Sequence, residues 1–343
     1  ASPNARPYRA VLNGADTNDN IDFGNIVNTQ TSVMFDTWIK PGATTQTSRI
    51  IASNADTTKG FNVRQAPTVI PQFAFGLGAT SYVDQVMTDS PVGYYRFDEN
   101  SGTTILNHAN ASLNAAVTGT VTQAQTNQPL KDNGKSINFT KAGGIDLGTA
   151  AGIKDTFNSG ASWTVEMWAY PVTTSTQWYW LFSKPFTTHV APYYQVEVRV
   201  NSANTLGAYM WQNGAGGIHM GLNGLGNDLP LNTWTHVAVV YDATTPRLTL
   251  YVNGVQENTT TTVTGAYTNY NTSIHVGQDP NLPANATYSF DGRMDEVAIY
   301  QTALAAPRIA SHFAAASVPS CYSTTKIADG FWYDVAGFWD NAT

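Results

Sequence analysis

Two stretches of this chain repeat each other at matched spacing, which limits the folds open to it more than any single motif does. FDTWIKP at 35–41 answers VEMWAYP at 165–171, and IDFG at 21–24 answers IDLG at 145–148. From Trp38 to Ser53 in IIASN is fifteen positions, and from Trp168 to Ser183 in LFSK is fifteen again. GFNVRQ and PQFAFGLG, within 60–78, then stand for YYQVEVRV and TLGAYMW. Nothing before residue 80 answers WTHVAVVYD, LTLYVNG or DEVAIY, so the first copy reads as half of the second.

The repeated segments are strands. SWTVEMWAYP, WYWLFSK, YYQVEVRV, WTHVAVVYD, RLTLYVNG and DEVAIY alternate with period two and are parted by Gly, Asn, Pro and Thr turns. One short helix is predicted, LAAPRIASHFAAA at 304–316, with Pro307 in its first turn. The pattern predicts an all-β chain, an antiparallel β-sandwich of the jelly-roll kind, with an N-terminal partial repeat and one short C-terminal helix. Its expected parts are a half-domain at 1–80, a complete domain at 81–316 and an aromatic segment at 317–343. Half a sandwich leaves open edges and an uncovered apolar face. Phe331, Trp332, Tyr333, Phe338 and Trp339 are too apolar for a free tail, so that segment is expected to complete the first domain or to contact a neighbouring chain. Homo-oligomers follow from the second alternative.

Charged residues make up 12% of the chain, about half the ~25% usual in soluble domains, and aromatic residues another 12%. A net charge of −7, from 17 Lys and Arg against 24 Asp and Glu, argues against a nucleic-acid partner. No apolar run approaches the ~20 residues of a membrane span, and ASPNARPYRA has no signal-peptide pattern, so the expectation is a chain already processed or never exported that way. The single Cys321 excludes an intramolecular disulfide and a cysteine metal cluster.

The motif RMDEVAIY places two acids inside a strand. Strict alternation puts Asp295 with Val297 and Ile299, and Glu296 with Met294, Ala298 and Tyr300. A carboxylate leaning toward a core needs a cation, backbone amides or a basic side chain. Arg96 and Arg293 are the basic candidates. Glucanase chemistry needs two carboxylates flanking one glycosidic bond, whereas VEMWAY supplies Glu166 alone, YYQVEVRV supplies Glu197 alone, and DEVAIY splits its acids. His236 alternates with Val237 and Val239, the pattern of a hydrogen-bonded strand histidine rather than a base. The chain is therefore read as a non-enzyme. In QWYWLF, Trp178 and Trp180 share a face, which core packing explains.

From YVDQVMTDSPVGYYRFDENSG at 82–102, through SINF, the Trp-bearing strand, WTHVAVVYD and LTLYVNG, to FDGRMDEVAIYQTALAAPRI, the chain resembles the laminin G-like branch of the concanavalin A-like lectin/glucanase superfamily. The resemblance spans 82–316 well and 8–78 in part. It implies a possible calcium site at Asp295, Asp98 and Asn110, although the loop ILNHANASLNAA offers only asparagines where related domains carry Asp. It also implies glycan contacts, for which Tyr193, Trp211 and His219 beside the NGAGGIHMGLNGLGND loop are the candidates. The SPVGYYRFDENSG opening is similar to domains of bacteriophage structural proteins and of secreted bacterial proteins. The expected role is thus a virion structural protein, a capsid decoration, head-fibre or tail component, whose partners are other virion proteins, copies of itself or a cell-surface glycan. The alternative is an extracellular carbohydrate-binding adhesin.

Overall fold

The structure, a computed structural model, describes residues 32–39, 49–55, 60–65, 73–76, 80–132, 134–174, 178–185, 194–211, 219–224, 226, 228–260, 269–278, 288–318, 320–322 and 333–340. Of the strands before residue 80, of 211 and 219–222, and of everything after 318, only the backbone is described. Two units divide the chain, Ala1–Thr80 with Ser320–Thr343, and Ser81–Pro319.

The first unit contains β1 (Ser32–Ile39), β2 (Arg49–Ala55), β3 (Gly60–Gln65) and β4 (Phe73–Gly76). The second runs through β5 (Gly93–Tyr95), β6 (Thr104–Ile105), β7 (Ala115–Gln125), β8 (Ser136–Gly148), β9 (Trp163–Pro171), β10 (Tyr179–Pro185) and β11 (Tyr194–Val200). It continues with β12 (Leu206–Trp211), β13 (His219–Asn223), β14 (Thr235–Asp242), β15 (Arg247–Val252), β16 (Val255–Thr259), β17 (Ile274–Val276) and β18 (Asp291–Tyr300). The chain then returns to the first unit with β19 (Ser320–Tyr322) and β20 (Tyr333–Asp340).

In the second unit one antiparallel sheet runs β13-β12-β11-β10-β17-β8-β18-β9-β14-β15-β16. It curls so that both halves line one core: Val196 and Val198 of β11, Val165 and Met167 of β9, and Val237 and Val239 of β14 belong to a single buried cluster. Alternation accounts for this, since each of these strands turns every second residue inward. The result is the antiparallel β-sandwich that the period predicts.

Helix α3 (Ala306–Ala315) lies within the predicted 304–316, with Pro307 in its first turn. Two further short helices, α1 (Tyr82–Thr88) and α2 (Ala151–Lys154), escaped the sequence reading. For α1 a signal was present: Ser81 caps the helix, its Oγ accepting from the Asp84 N–H and donating to the Asp84 carboxylate. α1 packs against α3, where Arg308 donates to Asp89 and to the Gln85 carbonyl.

In the first unit, β20 pairs antiparallel with β1, Asp334 opposite Trp38 and Ala336 opposite Asp36. β2, β3 and β4 form an antiparallel run that β19 extends at β4. Of the aromatic residues expected to make contacts between chains, Phe331 and Trp332 lie outside the described residues. Tyr333, Phe338 and Trp339 belong to β20, opposite Ile39, Met34 and Val33.

Candidate functional site

The two acids of RMDEVAIY do not alternate as expected. Asp295 pairs with Trp168 and Ala298 with Glu166, so three steps along β18 match two along β9. The extra residue is a β-bulge, and Glu296 takes a left-handed φ of 53° to make it. Met294 before the bulge and Val297 and Ile299 after it all face the core. Asp295 is thereby removed from the face that alternation gave it, yet it remains only 1% exposed.

Arg96, just after β5, satisfies most of the charge around the bulge. Its guanidinium meets Glu296 at 3.1 Å, Asp132 at 2.8 Å and Asp98 at 3.1 Å. Tyr94 donates to Glu296, and the Glu296 N–H donates to Asp295 Oδ1 at 2.9 Å. Burial, then the charges of Glu296, Asp98 and Asp132, push the Asp295 carboxyl well above the usual range. Burial also raises Glu296, to about 8, against the opposing pull of Arg96.

These side chains match calcium poorly. Asp98 already accepts from Arg96 and from the Lys135 N–H, and Asn110 is exposed and caps the Ser112 N–H. Among the described residues no three Asp, Glu, His or Cys side chains are grouped to hold a metal. Asn107, from the same loop, is spent on the N–H groups of Tyr94, Ala109 and Asn110. The arrangement is an ion cluster at a strained bulge; of the two basic candidates Arg96 takes part in it, whereas the Arg293 guanidinium lies 5.4 Å from the ring centre of Tyr170.

Glu166 is equally committed. Its register neighbours on both sides are Ala238 and Ala298, whose small side chains leave room for rings. His236 Nε2 donates to it at 3.1 Å, His312 Nδ1 at 2.9 Å, and Tyr300 also donates. His312 Nε2 meets Asp89 at 2.9 Å. With a carboxylate at each nitrogen, His312 is held above its ordinary pKa despite burial. Burial raises the Glu166 carboxyl, but His312 and His236 more than offset it and hold the group far below the usual carboxylate range. His236 is the hydrogen-bonded strand histidine that its spacing predicts. The network ties α3 to the sheet, and its members are almost wholly buried.

An open arrangement occurs on the polar face of β11 and β12. Glu197 and Arg199 alternate on β11 with the core residues Val196, Val198 and Val200, so both point away from the core. Glu197 is buried, accepting from Trp180 Nε1 at 2.7 Å and from Arg199 Nη1 at 2.9 Å. The Arg199 guanidinium lies 4.5 Å from the ring centre of Trp178 and 4.2 Å from that of Tyr209. The Tyr209 ring crosses Gly207, where a Cβ would lie 2.4 Å from a ring carbon. Trp178, which core packing was expected to claim, precedes β10 and is 49% exposed, whereas Trp180 is buried.

Two asparagines complete this face. Arg199 Nε donates to Asn201 Oδ1 at 3.0 Å, and Asn201 Nδ2 donates to Asn223 Oδ1 at 2.8 Å. Tyr209 also donates to Asn223 Oδ1. Of the glycan candidates named from sequence, Tyr193 lies outside the described residues. Trp211, two residues beyond Tyr209 on β12, is the register partner of His219 on β13, and their side chains are likewise outside the description. Arg199 and Tyr209 were not among the candidates named from sequence, and Trp178 was assigned to core packing. The available signal was EVRV, an acid and a base alternating with valine, beside GAY on the neighbouring strand.

Residues 142–310 match the family model described as concanavalin A-like lectin/glucanases superfamily. No curated protein matches the chain. Among solved structures, the binding domain of Paraclostridial Mosquitocidal Protein 1 is similar at 17% identity and TM-score 0.53, over 66% of this chain and 52% of that one. The chain thus spans about half the length of that domain, and the likeness is one of fold. Domain 4 of AbnA, a GH43 extracellular arabinanase from Geobacillus stearothermophilus, solved with arabinotriose, is similar at 19% identity and TM-score 0.45, over 65% of this chain and 98% of that one. The Ruminococcus gnavus IT-sialidase CBM40 bound to alpha2,3 sialyllactose is similar at 15% identity and TM-score 0.44, over 51% and 95%.

Proposed function

We propose that this chain, whose residues 142–310 belong to the concanavalin A-like lectin/glucanases superfamily, is a non-catalytic carbohydrate-recognition protein. The observation that carries this reading is the half-exposed indole of Trp178 beside Arg199 and Tyr209. An exposed indole stacks on the apolar face of a sugar ring, and a guanidinium placed by its neighbours offers fixed donors to hydroxyl or carbonyl oxygens. The acids a hydrolase would need support the same reading. Glu166, Glu197 and Glu296 are buried and already engaged by His, Arg, Tyr or Trp donors, with no two flanking an open cleft among the described residues.

Isothermal titration against a panel of oligosaccharides tests the proposal. The expected result is binding by the intact protein, its loss in Trp178→Ala with unchanged Tm, and no release of sugar. Binding that survives Trp178→Ala overturns the assignment to this face, and released product overturns the non-catalytic reading.

The more specific role is that of a virion structural protein, a phage capsid decoration or tail component that presents this face to a cell-surface glycan. A surface polar by Thr, Asn and Ser rather than by charge supports it, as does the building of the first unit from both ends of the chain. Symmetric multimers or co-sedimentation with particles are then expected. A monomer that associates with no particle favours the extracellular adhesin.

A further inference from the structure

We infer that the Trp178 face selects an uncharged sugar bearing an acetamido group, and this inference rests on the carbohydrate-binding reading above. The donors and acceptors left unengaged on the face decide what it can take up. Its acceptors are already engaged. Glu197 takes Trp180 Nε1 and Arg199 Nη1, Asn201 Oδ1 takes Arg199 Nε, and Asn223 Oδ1 takes Asn201 Nδ2 and the Tyr209 hydroxyl. Two amino groups make no hydrogen bond among the described residues, Arg199 Nη2 and Asn223 Nδ2. Asn223 is exposed, and the Arg199 side chain is 11% exposed, held between two aromatic rings. The groups left wholly unengaged are therefore donors, and the ligand group that suits them is an acceptor.

Charge narrows the choice between the two strong acceptors that sugars carry, a carboxylate and an amide carbonyl. The charge of Arg199 is cancelled 2.9 Å away by Glu197, whose side chain is fully buried and shielded from solvent ions. A ligand carboxylate would add a second negative charge near Glu197 in a protein of net charge −7. An acetamido carbonyl needs donors and no counter-charge. Its oxygen accepts from Arg199 Nη2 and Asn223 Nδ2 while the pyranose ring stacks on Trp178. A hydroxyl is a weaker match, because its oxygen is a poorer acceptor than an amide carbonyl.

The test uses the full chain and three trisaccharides. Chitotriose and cellotriose differ only in carrying an acetamido group or a hydroxyl at each C2, and trigalacturonic acid supplies carboxylates without an acetamido group. The expected result is chitotriose binding at least about tenfold more tightly than cellotriose, with trigalacturonic acid no better than cellotriose. Asn223→Asp keeps the acceptor that Asn201 and Tyr209 use and exchanges the amino group for a charged oxygen at an exposed position. It is expected to leave Tm unchanged and to remove most of the chitotriose preference. Equal affinities for chitotriose and cellotriose, a preference untouched by Asn223→Asp, or trigalacturonic acid as the tightest ligand each overturn the inference while leaving carbohydrate binding in place. If no sugar of the wider panel binds, the underlying reading falls with it.

Discussion

In the hairpin of β2 and β3 the register passes over Ile51, and in the hairpin of β10 and β11 it passes over Leu181, the matching residue of the repeat. Arg64 stands opposite Ile50 as Arg199 stands opposite Trp180. Around that arginine the two copies part company. Asn62 occupies the register position of Glu197, Gly76 that of Tyr209, and Ala74 that of Gly207. A bulge sets strand direction and twist, so both copies share it. The residues that would grip a ligand are free to differ, and only the second copy has the acid, the tyrosine and the glycine that the Trp178 face needs. The comparison extends to the strand missing from the first copy. Asp334 of β20 lies opposite Trp38 as Asp295 lies opposite Trp168, and Ala336 opposite Asp36 as Ala298 opposite Glu166, without the extra residue that Glu296 supplies.

The largest effect is expected from Glu166→Ala, which leaves His236 and His312 buried without their shared acceptor. A loss of about 3–5 kcal/mol is expected in denaturant unfolding of the 81–319 unit. A loss below ~1 kcal/mol would mean that the network does not anchor α3. Gly207→Ala installs the residue of the first copy and drives a Cβ into the Tyr209 ring, for about 1–3 kcal/mol and weaker sugar binding. The reciprocal Ala74→Gly is expected to cost no more than about 0.5–1 kcal/mol. Similar costs in both directions would show that Gly207 is not there to seat Tyr209.

The pH dependence should belong to the second copy, since β20 has no counterpart of Glu296. Glu296 keeps its proton in the fold up to about 8, while the unfolded chain gives it up near 4.5, so its effect on stability declines as pH rises between those values. His312, raised above 6.5, contributes fully below 6.5 and is lost as pH climbs through its folded value. Glu166, depressed from 4.5, contributes above 4.5 and fails only in strong acid. Scanning calorimetry is therefore expected to show the 81–319 unit most stable between about pH 4.5 and 6.5 and weaker at pH 8. A maximum at pH 8 would contradict the assignments. Trp178→Ala, at a half-exposed position, should change stability by no more than about 0.5 kcal/mol. Chelation should change Tm least of all, and a clear drop would restore calcium to Asp98 and Asp295.

Local chemistry made much of this legible. Period two gives strands whichever residues they later pair with, the Ala-rich run after Pro307 gives a helix, and alternation of His236 with valines gives a strand histidine. The fifteen-residue spacing located both the repeat and, in the structure, its bulge. What could not be read locally were the features supplied by distant residues.

The sequence by itself determined which segments extend, which face of each strand is apolar, and that the first copy repeats the second. Tertiary structure alone decided that Glu296 adopts a left-handed bulge, because the side chain that bonds its carboxyl group is Arg96, just after β5 and some 200 residues earlier in the chain. It decided too that Trp178 stays open while Trp180 is buried, because Glu197 and Arg199 arrive from the next strand to bond the one and lie over the other. Alternation is set by each residue's immediate neighbours, but burial and charge compensation are set by whichever segments the fold brings alongside.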